Sequence, residues 1–194
     1  MNQSSVSKTA VSKLLSPSEL VTRARSIKLL LLDVDGVLTD GRLYFSNEGD
    51  ELKSFCTLDG QGIKALQKSG VKVGIITGRT SNLVAKRAFD LGIQLLVQGR
   101  EDKWEALQEI LGEHRFALGE IAFMGDDWPD LKVMSRVGLA LTPANGHFTV
   151  VERSHWQSQA RGGEGAVREA CDMLMKAQDT FDQILESYLG ENVI

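Results

Sequence analysis

The chain is poor in everything that a disulfide scaffold, a zinc site or a membrane protein would need. Only two of its 194 residues are cysteine, Cys56 and Cys171, far apart and outside any Cys/His cluster. That argues against zinc and fits a reducing compartment, so a cytoplasmic location is expected. The three histidines, His114, His147 and His155, stand in no ligand spacing and read as structural or exposed. Trp104, Trp128 and Trp156 are too widely separated to form a stacking platform and read as packing residues. Positive charge is in deficit: the net charge of −4 does not suggest a nucleic-acid surface, although local basic residues can still grip an anionic metabolite. No apolar run approaches the length of a membrane-spanning helix, and Leu14-Leu15 is too brief for a signal peptide, so residues 1–15 read as a loose tail. The sequence shows no repeat, low-complexity tract or second-domain boundary. Its 42% hydrophobic composition is enough for one domain over residues 16–194 with a substantial core.

What is present is an alternation of short apolar runs with helical patterns, which predicts an α/β fold: a doubly wound, Rossmann-like parallel sheet with helices on both faces. Ser16-Pro17-Ser18-Glu19 carries the signals of a capped helix start. Strands are expected at Ile27 to Leu32, Val71 to Ile76, Leu95 to Val97, Ile121 to Met124 and Val137 to Leu141. Helices are expected at Gly62 to Ser69, Ser81 to Leu91, Lys103 to Leu111 and Pro129 to Ser135, with one last helix from Gly165 to Leu189 after a Gly162-Gly163 elbow. The stretch 42–58 breaks the pattern and reads as a β-hairpin turning at Asn47-Glu48-Gly49-Asp50.

Four strand ends carry the chemistry. The leucine run at 29–32 stops at Asp33 and Asp35, and Gly36 follows, so two carboxylates emerge together where a sharp turn is possible. Two anions this close repel unless a cation or a shared proton compensates. Thr77 follows the second strand, Lys103 opens a helix after the third, and Gly125-Asp126-Asp127 follows the fourth. These residue types suit phosphate-ester hydrolysis with Mg2+, a hard cation that takes oxygen ligands. Asp33 is expected to bind the metal and attack phosphorus, giving an aspartyl-phosphate. Asp35 is expected to protonate the leaving oxygen and then deprotonate water. Thr77 and Lys103 would hold the phosphoryl oxygens, Asp126 would be the remaining metal carboxylate, and Asp127 would orient Lys103 or a water on the metal. Asp40 and Asp59 read equally well as turn or cap residues. Cys56 lacks a nearby base and reads as wall.

Asp-Val-Asp-Gly-Val-Leu-Thr-Asp-Gly from Asp33, Ile-Ile-Thr-Gly-Arg ending at Arg79, Lys103 in Gly-Arg-Glu-Asp-Lys, and Gly125-Asp126-Asp127 resemble the haloacid dehalogenase superfamily. The hairpin in place of a cap domain, the segment 57–64 and the segment 161–169 resemble its small capless phosphatases acting on 3-deoxy-D-manno-octulosonate 8-phosphate, over about Ile27 to Gln178. The resemblance implies Mg2+, a phosphorylated sugar-acid substrate in lipopolysaccharide precursor synthesis, and a homotetramer without nucleic-acid or membrane partners. It places metal ligands at Asp33, at the backbone carbonyl of Asp35 and at Asp126. It places substrate contacts at Asp35, Cys56, Thr57, Leu58, Asp59, Gly60, Lys64, Arg79, Arg87 and Lys103. It further implies that hairpins associate between subunits and that the glycine-rich C-terminal segment approaches a neighbouring site. Leu58, Lys64 and Glu164 depart from residues found in some relatives, which leaves a nine-carbon keto-sugar-acid phosphate as the alternative substrate.

Two other classes share part of this signature. Gly60-Gln61-Gly62-Ile63-Lys64-Ala65 has dinucleotide-fingerprint spacing, but it follows a hairpin rather than a buried strand, and no acidic residue occurs from Gln61 through Phe89 to bind a ribose. A signalling receiver domain shares Mg2+, Thr, Lys and a phosphorylated Asp. It would place the acceptor on a later strand, whereas here the Asp-x-Asp pair follows the first.

Overall fold

The computed structural model describes residues 14–190. All but Leu14 and Leu15 of the expected tail lie outside them, and Leu15 is already docked, its amide donating to His155 O at 3.0 Å. Helix α1 (Pro17–Ala24) starts as its sequence dictates: Ser16 and Glu19 close a reciprocal capping box and Pro17 fills the first turn.

The core is a six-stranded parallel sheet made of β1 (Leu29–Leu32), β4 (Lys72–Ile76), β5 (Leu95–Val97), β6 (Ile121–Met124), β7 (Leu139–Thr142) and β8 (Trp156–Gln157), in the order β5-β4-β1-β6-β7-β8. Between them run α2 (Thr57–Lys68), α3 (Asn82–Asp90), α4 (Lys103–Glu113), α5 (Leu131–Met134) and α6 (Phe148–Val151), and α7 (Ala166–Ala177) and α8 (Phe181–Leu189) follow. The pleat of β1 sorts its leucines. Leu30 and Leu32 pack with Leu66 of α2, Val84 of α3 and Leu174 of α7, while Leu29 and Leu31 pack with Leu107 of α4, Val133 of α5 and Val150 of α6. All four are fully buried, and truncating any one to alanine costs roughly 2–5 kcal/mol.

A separate two-stranded hairpin, β2 (Tyr44–Phe45) with β3 (Glu51–Leu52), occupies the place of a cap. Among the described residues, no helix is long and apolar enough to cross a membrane.

The elements differ from the expected ones in three places. Helix α2 begins at Thr57, because its glycines admit neighbours rather than loosen the chain: a Cβ on Gly60 would lie 2.3 Å from the Arg87 guanidinium, and one on Gly62 would lie 3.1 Å from Arg168 Cα. The long C-terminal helix is two helices, α7 and α8, broken at Asp179, which takes φ 57°. Aspartate tolerates the left-handed region better than most residues, so neither glycine nor proline marks the break. Helix α6 and edge strand β8 are additional, each too short to show a period.

Candidate active site

The chain winds from β1 outward through β4 to β5 and then returns to β6 on the other side of β1, so the order reverses between β1 and β6. In such sheets the crevice opens beyond the carboxyl ends of the strands at that reversal. Asp33 leaves β1 there with its amide on Met124 O at 3.0 Å, and Thr77 leaves β4 buried, with its amide on Val97 O at 3.0 Å. Gly36, at φ +90°, turns the chain directly under Asp126: a Cβ there would lie 2.1 Å from Asp126 Oδ2. Asp33, Asp35, Thr77, Arg79, Lys103 and Asp126 all line one cleft of about 720 Å³.

Lys103 is the first residue of α4, whose N-terminus is capped by Asp102 accepting from Trp104 N at 3.1 Å and Glu105 N at 3.2 Å. Its buried ammonium donates to Asp33 Oδ1 at 2.8 Å and to Asp130 Oδ1 at 2.6 Å. The other oxygen of Asp130 accepts from Asp126 N at 3.0 Å and Asp127 N at 3.3 Å. Asp130 therefore ties Lys103 to the acidic loop, a role the sequence offered to Asp127. The Asp127 side chain is turned onto its own helical turn, accepting from Trp128 N at 2.8 Å. The sequence signal for Asp130 was its place four residues after Asp126, one short turn away.

Carboxylate oxygens of Asp33, Asp126 and Asp130 come within 4.8 Å of one another. Three carboxylates against the single Lys103 ammonium leave an excess of two negative charges. The strain shows in proton affinity. Burial, then repulsion by Asp33 and Asp130, pushes the Asp126 carboxyl up to about 8; burial, then Asp130, likewise raises Asp33, against the pull of Lys103. A divalent cation removes that excess, and the all-oxygen donors suit Mg2+. Both oxygens of Asp130 are committed to Lys103 and two amides, which leaves Asp33 and Asp126 as the carboxylates to ligate it.

Asp35 faces the hairpin side of the cleft, in an ion pair with Lys53 and 3.7 Å from Arg79 Nε. The remaining residues assigned by resemblance do not line the cleft within this chain. Cys56 precedes α2 and its carbonyl accepts from Arg87 at 3.1 Å; Leu58 and Lys64 are exposed on that helix. Asp59 is buried and accepts from Arg168 N at 2.8 Å. It thereby caps α7, whose own cap residue, Gly165, has no side chain to offer. Asp40 is a turn residue, accepting from Arg42 N at 3.0 Å and Tyr44 OH at 3.0 Å. Trp128 differs from the packing expectation: 63% exposed, it is held by an indole hydrogen bond to Thr149 Oγ1 at 2.9 Å and by an edge contact with His147.

The glycine elbow closes on the loop that follows β1 in its own chain. Gly163 N donates to Val37 O at 3.0 Å, and a Cβ on Gly162 would lie 1.8 Å from Gly36 O. Asn145 clamps both, donating to Gly36 O at 3.1 Å and accepting from Gly162 N at 2.6 Å, while His147 N donates to Asp126 O at 2.8 Å.

This fold and this cleft define a phosphohydrolase of the haloacid dehalogenase type, and comparison with known proteins agrees. No family model matches the sequence. The 3-deoxy-D-manno-octulosonate 8-phosphate phosphatase KdsC of Yersinia pestis is 43% identical over 164 residues, covering 84% of this chain and 88% of that protein. A crystal structure of the Moraxella catarrhalis 3-deoxy-D-manno-octulosonate 8-phosphate phosphatase with magnesium ion, phosphate ion and KDO superposes with a TM-score of 0.87 at 39% identity, over 89% of this chain and 99% of that one. A Legionella pneumophila structure described as a HAD superfamily (subfamily III A) hydrolase gives 0.86 at 41% identity, over 89% and 94%. The chain belongs to the KdsC family of phosphatases within the haloacid dehalogenase superfamily and is a phosphoric monoester hydrolase.

Proposed function

We propose that the protein hydrolyses 3-deoxy-D-manno-octulosonate 8-phosphate to the free sugar acid and phosphate, with Mg2+, through an aspartyl-phosphate on Asp33. The observation that carries the chemistry is the convergence of Asp33, Asp126 and Lys103 at the sheet reversal. The substrate rests on the similarity to KdsC proteins and to the Moraxella complex with KDO.

Asp33 and Asp126 would hold the ion, which when bound screens the repulsion between an anionic nucleophile and an anionic ester. The free oxygen of Asp33 attacks phosphorus as the ester P–O bond breaks. Lys103, fixed between Asp33 and Asp130, presents its charge to the phosphoryl oxygens, and Thr77 can donate its hydroxyl from the neighbouring strand end. Asp35 gives a proton to the leaving sugar oxygen, then takes one from the water that hydrolyses the intermediate. Arg79 lines the same cleft with its side chain half exposed, and its fork suits a sugar-acid carboxylate.

Phosphate release is the test, measured with Mg2+ across eight- and nine-carbon keto-sugar-acid phosphates and hexose phosphates. The eight-carbon ester should be preferred. Equal rates across all of them would remove the substrate assignment, and full activity after chelation would remove the metal. Asp33→Asn should abolish turnover while keeping the fold; a near-normal rate would remove the covalent route.

A further inference from the structure

The hairpin sends one charged side chain into the protein. Alternation along its return strand points Leu52 outward, 64% exposed, and turns Glu51 and Lys53 to the other face. The Lys53 side chain is 2% exposed, and its ammonium meets Asp35 Oδ1 and, at 3.5 Å, Glu51. Arg79 closes the array, 3.1 Å from Glu51 and 3.7 Å from Asp35. A buried ammonium is costly unless its partners are fixed. A ribbon of two-residue strands with Tyr44, Phe45 and Leu52 exposed has little stability of its own to fix them. The partners are fixed from the other side, by the β1 loop that carries Asp35.

We propose that Lys53, braced by Glu51, is a positioning residue for Asp35: it holds that carboxylate at the cleft wall where it can reach the leaving oxygen, making the hairpin part of the proton-transfer apparatus. The inference rests on the general acid role of Asp35 proposed above. Lys53 itself does not line the cleft. Its effect therefore passes through Asp35 and must follow the leaving group's need for a proton.

The experiment compares kcat/KM for the sugar phosphate with kcat/KM for p-nitrophenyl phosphate, whose aryloxide departs without protonation, in Lys53→Met, Lys53→Arg and Asp35→Asn. For both Lys53→Met and Asp35→Asn, kcat/KM for the sugar ester should fall by about 10²-fold, that for the aryl ester by less than about threefold, and Lys53→Arg should recover most of the loss. Equal losses on the two esters in Lys53→Met, with Asp35→Asn discriminating, would mean that Lys53 only stabilises the fold and would overturn the inference. An undiminished sugar rate would do the same. If Asp35→Asn itself fails to discriminate, the reading of Asp35 falls first and this inference with it. Far-UV circular dichroism accompanies each variant, and Lys53→Gln carries the same comparison if the Met variant does not fold.

Discussion

Replacing Asp130 with asparagine tests whether this residue, committed to Lys103 and two amides, sets the position of Lys103. Asp130 is 1% exposed and makes three contacts: Lys103 at 2.6 Å, Asp126 N at 3.0 Å and Asp127 N at 3.3 Å. Asparagine has nearly the same shape but one acceptor oxygen instead of two. If that oxygen keeps the two amides, the side-chain NH2 turns towards the Lys103 ammonium and a charge-assisted hydrogen bond becomes a donor facing a donor. Hydrogen bonds to charged groups are worth about 1.5–3 kcal/mol. At about 1.4 kcal/mol per factor of ten, a loss expressed wholly in Lys103 placement lowers kcat roughly 10- to 10²-fold. Lys103 keeps Asp33 as a partner at 2.8 Å, so it remains charged and the protein folds. Asp130→Ala should be worse, because it leaves two amides and half of the lysine's pairing unmet. Breaking a buried pair costs about 3–5 kcal/mol, to be read from urea midpoints. Steady-state phosphate release at saturating Mg2+ measures the first effect. An Asn variant with unchanged kcat and unchanged urea midpoint would refute the reasoning.

Gly36→Ala combines a positive φ with a Cβ 2.1 Å from Asp126 Oδ2, so it should displace that carboxylate. The expected result is lost Mg2+ binding by calorimetry, and ordinary Mg2+ affinity would contradict it. Asp59→Ala removes the α7 cap and should cost about 1–2 kcal/mol in urea unfolding while leaving the chemical step intact. A selective fall in kcat with unchanged stability would instead make Asp59 part of the site.

The parts legible in the sequence were those encoded by short-range rules. The β1 leucine run, the Ser16 capping box, and the strand ends at Asp33, Thr77 and Asp126 each follow from a local pattern, and the structure carries all of them to one cleft. What escaped reading depends on partners distant in sequence. Gly60 falls before the expected helix and Gly62 at its start, and their place inside it is explained only once Arg87 and Arg168 are brought against them. Asp59 reads equally as a cap or as a site residue, and its helix-capping partner becomes visible only when α7 arrives without a cap of its own. Asp127 and Asp130 are indistinguishable by residue type. Only the tight turn at Trp128–Asp130 decides which carboxylate swings back to Lys103.

The same distinction explains how the cleft is held. Asp33, Thr77 and Asp126 follow rigid strands and Lys103 opens α4, but these attachments alone do not fix side chains to the fraction of an ångström that phosphoryl transfer requires. Three segments from outside those strands supply the restraint. Asp130 holds Lys103 from below, Asn145 and the glycine elbow hold the Gly36 peptide from the side, and Lys53 holds Asp35 from the hairpin. The first two are tied to α5 and to α7, whose inner faces are core, so they gain rigidity from packing. The hairpin has no such backing and exposes Tyr44, Phe45 and Leu52. Of the three restraints, the one on Asp35 is therefore the most readily altered by whatever covers that apolar ribbon. Contacts there should change the handling of poor leaving groups before they change phosphate binding at Lys103.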